Sequence, residues 1–353
     1  MSPRSGRPAP SPLAAAPAVP KRPAFPAMRT PSARDLVYRP RVLGVIKEKR
    51  PLWTKLLVAA GLVIGGASIA PFAFTTAGAS ATESRTQSSG HVVGAEGLAA
   101  PIVGMSPGPV VNSYWLAAAD GGVFSYDGAP FEGSLPGMGV HVSDIVGMAT
   151  DTDLYGYWLV GSDGGVFSFG SAPFDGSLPG LGVHVSDIVG ITESSSPSGK
   201  GYLLVGADGG VFAFGGASFE GSLPEMGVHV SDIVGIAATP DGRGYWLVGA
   251  DGGVFAFGDA LFEGSLPGLG IHSARIVGVV GGPDAGAYWL VAADGGVFSF
   301  GDGTFFGSVP ELGVKVSNIV GTAGTLNGQG YWLVGAGGEV FSFGTATTLT
   351  GGY

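Results

Sequence analysis

The sequence predicts an all-β repeat fold, and three observations carry the prediction. A unit recurs six times: "IVG" begins at Ile102, Ile145, Ile188, Ile233, Ile276 and Ile319, and "YWL" or "YLL" at Tyr114, Tyr157, Tyr202, Tyr245, Tyr288 and Tyr331. Each unit breaks into four short apolar runs rich in Tyr, Trp, Val and Phe, which suit a pleated, half-buried surface. The runs are separated by turn residues, and glycine supplies 66 of the 353 residues, against a usual share of about 7%.

The elements follow in order along a generic unit. The first run is of the type IVGIA, the second GYWLVG, the third GVFAFG and the fourth FEGS. No run has an apolar pattern long enough for a helix. Asp-Gly-Gly between the second and third runs signals a hairpin; its aspartates are Asp120, Asp163, Asp208, Asp251 and Asp294, and the sixth unit has Gly337 instead. A tight Gly-rich turn, such as Gly258-Asp259-Ala260, leads into the fourth run.

Alternation along "YWLV" puts Tyr and Leu on one sheet face and Trp and Val on the other. Both faces are apolar, so both must be covered, and radial stacking of sheets does this. The expected architecture is therefore a six-bladed β-propeller of four-stranded blades over residues 101–353, with units starting near 102, 145, 188, 233, 276 and 319. A β-solenoid is the alternative, but solenoid coils of about 20–30 residues fit the observed spacing poorly. The last unit ends in "TATTLTGGY" in place of the "ALFEGSLP" type. Closure then either lacks a swapped strand or draws one from His91 to Val93.

The N-terminal part has a different character. Residues 1–55 hold 12 Lys or Arg and 2 acidic residues, whereas residues 56–353 hold 5 basic and 25 acidic ones. Residues 1–50, Pro- and Arg-rich, read as a disordered cytoplasmic tail. No charge occurs from Leu56 to Thr82, and basic residues immediately precede this run. Residues 51–79 are therefore expected to be a transmembrane signal anchor, crossing through residues 56–75, with the repeats outside. The alternatives are a signal peptide cut near Ala77-Gly78-Ala79, which would release a secreted protein, and a buried core helix. Residues 80–100 read as a polar spacer.

The string "GYWLVGADGGVFAFGDALFEGS", Gly244 to Ser265, resembles a tandem repeat of exported actinobacterial proteins, sometimes attached to hydrolase or peptidoglycan-active domains. Its rhythm is more loosely similar to tachylectin-like propeller repeats. The resemblance covers residues 101–353 and implies export and a propeller-like fold; no attached catalytic domain is visible.

Several chemistries are excluded or disfavoured. No cysteine is present, so thiolate metal sites and cysteine nucleophiles are out. The acidic body repels nucleic acid phosphates. Gly-rich pieces recur as hairpins, not once before a helix, so they are not phosphate loops. "GMSPG", Gly104 to Gly108, matches the nucleophile elbow in letters but lacks its α/β surroundings. No cofactor is called for.

The candidate ligand face rests on recurrence. His141, His184, His229 and His272 share one position, which Lys315 takes in the following unit. Asp144, Asp187 and Asp232 stand three residues later, replaced by Arg275 and Asn318. Strand alternation puts these groups on the same side as the Asp-Gly-Gly hairpins. One reading is an acidic ligand-contacting ring; the other is a set of local loop hydrogen bonds. Convergence on a metal would require a narrow central channel, and Asp-Gly-Gly alone lacks calcium-loop spacing. Trp115, Trp158, Trp246, Trp289 and Trp332, with Leu203 in the third unit, are expected between blades rather than on the surface.

These readings converge on a cell-envelope propeller that binds carbohydrate, cell-wall material or an envelope protein. A scaffold without a small ligand is one alternative. A glycan hydrolase or lyase is another, and it would need an off-symmetry carboxylate pair.

Overall fold

The computed structural model describes residues 98–197 and 199–348 together with the backbone of 91–92. The tail, the apolar run and most of the spacer lie outside the described residues. Among the described residues no helix is long and apolar enough to cross a membrane.

Each unit forms one antiparallel sheet. Sheet I comprises β2 (Ile102–Pro107), β3 (Tyr114–Ala118) and β4 (Val123–Tyr126). Sheet II comprises β5 (Ile145–Thr150), β6 (Gly156–Gly161) and β7 (Val166–Gly170), and sheet III β8 (Ile188–Glu193), β9 (Gly201–Gly206) and β10 (Val211–Gly215). Sheet IV holds β11 (Ile233–Ala238), β12 (Gly244–Gly249) and β13 (Val254–Gly258), and sheet V β14 (Ile276–Gly281), β15 (Ala287–Ala292) and β16 (Val297–Gly301). Sheet VI holds β17 (Ile319–Gly324), β18 (Gly330–Gly335) and β19 (Glu339–Gly344), and β1 (His91–Val92) lies beside β19 as a fourth strand. The middle strand of every sheet is buried along its whole length, as expected for a run apolar on both faces.

The sheets form a closed, propeller-like ring. The first strands β2, β5, β8, β11, β14 and β17 pack on one another in turn, and β17 packs back on β2. One backbone hydrogen bond repeats at each junction. Ile145 N–H donates to Ala119 O, Ile188 to Ser162 O, Ile233 to Ala207 O, Ile276 to Ala250 O and Ile319 to Ala293 O; Ile102 N–H donates to Ala336 O and closes the circle. At some junctions the glycine of "IVG" matters to this approach: a methyl on Gly104 would lie 3.2 Å from Met148 N, and one on Gly278 3.2 Å from Thr322 Cγ2, both on the next sheet.

Six apolar clusters fill the six junctions. The Trp of one sheet meets the Tyr of the next: Trp115 with Tyr157, Trp158 with Tyr202, Trp246 with Tyr288, Trp289 with Tyr331, and Trp332 with Tyr114 across the closure, at 5.1–6.0 Å between ring centres. Leu203 takes this role against Tyr245. Each Trp Nε1–H also donates to a backbone carbonyl fifteen residues on, as Trp158 does to Pro173 O at 2.7 Å, so the indole is buried with its polar group paired.

The fourth run differs from expectation. Sheets I to V hold three strands each, and the FEGS-type run carries no strand. Its central glycine has φ of +123° to +130° at Gly133, Gly176, Gly221, Gly264 and Gly307, outside the β region, which interrupts a ladder. Instead the run crosses to the next sheet. Gly133 O accepts from the Tyr157 hydroxyl at 2.6 Å, and the same bond recurs from Tyr202, Tyr245, Tyr288 and Tyr331. Leu135, fully buried, then covers the hairpin, its N–H donating to Gly121 O. At the closure, β1 pairs antiparallel with β19, His91 opposite Val340 and Val92 opposite Glu339.

Candidate binding site

Two faces result from the strand alternation. The hairpin face carries the Asp-Gly-Gly turns and the links into each first strand. The loop face carries the first-to-second-strand loops and the exits of the third strands.

The sequence-predicted ligand residues lie on the hairpin face. His141, His184, His229 and His272 are exposed, as are Asp144, Asp187, Asp232, Asp163, Asp208 and Asp251; Asp120 and Asp294 are half-buried. At three of the links two carboxylates flank one glycine. Around Gly161, a methyl would lie 2.9 Å from Asp163 Oδ1 and 3.5 Å from Asp144 Oδ2, and Asp208 with Asp187, and Asp251 with Asp232, flank Gly206 and Gly249 in the same way. Each hairpin aspartate accepts the N–H two residues on, Gly165 N to Asp163 Oδ1 at 2.7 Å for instance, so part of its role is to hold its own turn. Among the described residues no three His, Asp or Glu side chains gather closely enough to hold a metal ion.

On the loop face a cleft of about 480 Å³ opens between sheets V and VI. Trp289 and Phe306 form its apolar wall; Asp302, Thr304, Asn327, Gln329 and Thr345 supply polar groups, and Pro283 and Gly328 its rim. The cleft exists because the fifth unit departs from the repeat. Elsewhere an alanine packs into the cluster that holds the Trp, namely Ala129, Ala172, Ala260 and Ala346. The fifth unit has Gly303, where a methyl would stand 3.3 Å from the Trp289 ring. Trp289 accordingly keeps 3% of its surface exposed. Three residues later, Phe306 replaces the acidic Glu132, Asp175, Glu220 or Glu263 of other units. Its ring lies 6.2 Å from Trp289 and edge-on to Tyr331 at 5.7 Å.

The polar wall is held in place. Asn327 Oδ1 lies 2.7 Å from the Thr325 hydroxyl, 3.0 Å from Gln329 N and 3.2 Å from the Thr345 hydroxyl. With Oδ1 so engaged, the Asn327 amide group is fixed with its NH₂ as a donor. Asp302 adds a carboxylate acceptor and Gln329 a flexible amide. Neither Gly303, Phe306, Asn327 nor Gln329 figured among the sequence-predicted site residues. The readable signal is the string "GDGTFFG" against "GDALFEG" in the preceding unit, where Gly303 replaces the alanine and Phe306 the carboxylate.

Carboxylates also meet at the junction of sheets III and IV. Asp241 and Asp259 stand 3.0 and 3.1 Å from the Thr239 hydroxyl. Partial burial and then the Asp259 charge raise the Glu220 carboxyl above its usual range. These groups lie on open surface. Buried phenols are perturbed more: burial pushes Tyr157, Tyr202, Tyr245, Tyr288 and Tyr331 up to about 12.

No known protein family and no curated protein matches the sequence.

Proposed function

We propose that the chain is an envelope-anchored, six-bladed propeller of the exported tandem-repeat type, and that its cleft between sheets V and VI binds carbohydrate. The observation that supports this reading is the cleft's composition: the half-buried ring of Phe306, backed by the buried Trp289, beside a fixed amide, a second amide, hydroxyls and one carboxylate. An aromatic ring takes the apolar face of a sugar, while amides and a carboxylate take its hydroxyls. Asp302 is the single carboxylate in the lining, whereas glycoside hydrolysis takes a flanking pair, so binding without cleavage is the proposed activity. The basic flank and uncharged run at Leu56 to Thr82 support display outside the membrane.

A glycan array and a cell-wall pull-down with the protein test the reading, with Phe306→Ala and Gly303→Ala as variants. Phe306→Ala removes the stacking wall, and Gly303→Ala closes space over Trp289. Each is expected to weaken glycan retention by about tenfold or more. Wild-type protein that retains no polysaccharide or peptidoglycan fraction refutes the carbohydrate reading.

A further inference from the structure

The hairpin face carries a second pattern that the cleft does not use. The turn after the fourth run of units I to IV, 3₁₀ in all but the third, projects one large apolar side chain into solvent. Met138, Leu181, Met226 and Leu269 are 63%, 63%, 67% and 64% exposed. Burying such residues in their own fold would have been simple, since the Leu three residues before each is fully buried. Exposed apolar groups at equivalent places in four successive units mark an interaction surface more than scattered exposure does.

Charge follows the same arc. The carboxylate pairs Asp144 with Asp163, Asp187 with Asp208 and Asp232 with Asp251 stand between these turns, and Glu225 sits on one of them. The carboxylates end one link before the apolar projections: Leu269 still projects between sheets IV and V, where Arg275 already replaces the aspartate. In the link after that, Leu312 is partly buried against the sheet V–VI cluster, Asn318 stands for the aspartate and Lys315 for the histidine. The other two basic residues of the described ring are on the loop face and engaged, Lys200 with Asp153 and Arg243 with Asp241. The three links from sheet I to sheet IV, which carry Met138, Leu181 and Met226, thus have apolar projections and carboxylates with no Lys or Arg among them.

We infer that this arc docks a cationic, amphipathic polypeptide segment. Methionine and leucine side chains adapt to varied apolar residues, and paired carboxylates attract lysine and arginine and speed encounter. The pattern of adaptable apolar projections inside an acidic field is the complement of a basic helix with one apolar face. An anionic lipid surface would be repelled by the same carboxylates.

The test uses the full chain in detergent and two fluorescent peptides of equal length, one of Lys and Leu in amphipathic order, the other with Glu for Lys. Anisotropy should show binding of the Lys peptide, weakening with salt, and little binding of the Glu peptide. The combined variant Met138→Ser, Leu181→Ser, Met226→Ser should bind about tenfold more weakly while keeping its salt dependence. The combined variant Asp144→Asn, Asp187→Asn, Asp232→Asn should bind more weakly and lose most of its salt dependence. All substituted side chains are exposed, and circular dichroism verifies that both variants fold. Equal affinity of either variant for the Lys peptide overturns the inference, as does equal binding of the Glu peptide. Self-association in sedimentation that the serine variant abolishes would assign the arc to a second copy and overturn it too.

Discussion

At the residue scale the tryptophans show how one position serves both packing and polarity. Trp158 is fully buried, lies 5.1 Å from Tyr202 between ring centres and donates to Pro173 O. Trp158→Ala leaves a cavity in one junction and removes the bond to Pro173 O, and should cost about 3–5 kcal/mol. Leucine fills the same position at Leu203, itself fully buried. Trp158→Leu should therefore cost clearly less than the alanine, although it still forfeits the Pro173 bond. Denaturant unfolding of the two variants checks the order; equal losses would mean that the indole volume is not what stabilises the junction. The same scale explains Gly164, whose φ of +76° and whose 2.5 Å approach to Leu178 leave no room for a methyl. Gly164→Ala should destabilise the hairpin by about 1–2 kcal/mol from backbone strain alone, with the clash added.

At the scale of elements, β1 is the least expected contributor to stability and the most testable. It is the one strand of the last sheet drawn from before the first unit, and it covers the outer edge of β19. A chain that begins at Leu98 lacks it and exposes the ladder groups of β19. That chain should melt several degrees lower, on the order of 2–4 °C for each kcal/mol lost, and aggregate more readily through the bared edge. An unchanged melting temperature and unchanged solubility would show that β1 contributes nothing to closure. The sequence made this strand visible because the sixth unit's ending departs from the repeat and His91 to Val93 is a short apolar run. It also showed three strands of each unit and the place of every hairpin, since alternation and Asp-Gly-Gly are local signals. The fourth run reads as a strand on its Phe alone, beside Glu or Asp and Gly, which are poor strand formers. What decides its path is the backbone angle at Gly133 and its equivalents and a hydrogen bond to the next unit's tyrosine, neither of which is local. The cleft was overlooked for a related reason. Gly303 and Phe306 are unremarkable alone, and their effect appears only when sheet VI brings Asn327 and Gln329 against them.

At the scale of the whole molecule, the ring converts one repeated bond into a collective property. Five junction tyrosines donate their hydroxyls to a glycine carbonyl of the preceding unit's fourth run, and burial pushes their ionisation up to about 12. A free phenol ionises at about 10. Between these values the unfolded chain releases protons that the folded ring retains, so stability falls as pH rises. The tyrosine contribution is fully present below pH about 10 and is lost as pH climbs through about 12. Because the six clusters form a closed circle, loss of one junction leaves both neighbouring sheets with an uncovered face. Alkaline titration should then show phenolate absorbance and loss of near-ultraviolet circular dichroism rising together in one step at the upper end of that window. Replacing Tyr202 by Phe removes one titrating group and one bond to Gly176. It should lower stability at neutral pH by about 0.5–1.5 kcal/mol while making the alkaline decline shallower. With Tyr38, Tyr155 and Tyr353 replaced by Phe, phenolate formation near pH 10 with the circular dichroism intact would show that the junction tyrosines are solvated. The junctions would then owe their stability to the Trp and Leu packing alone.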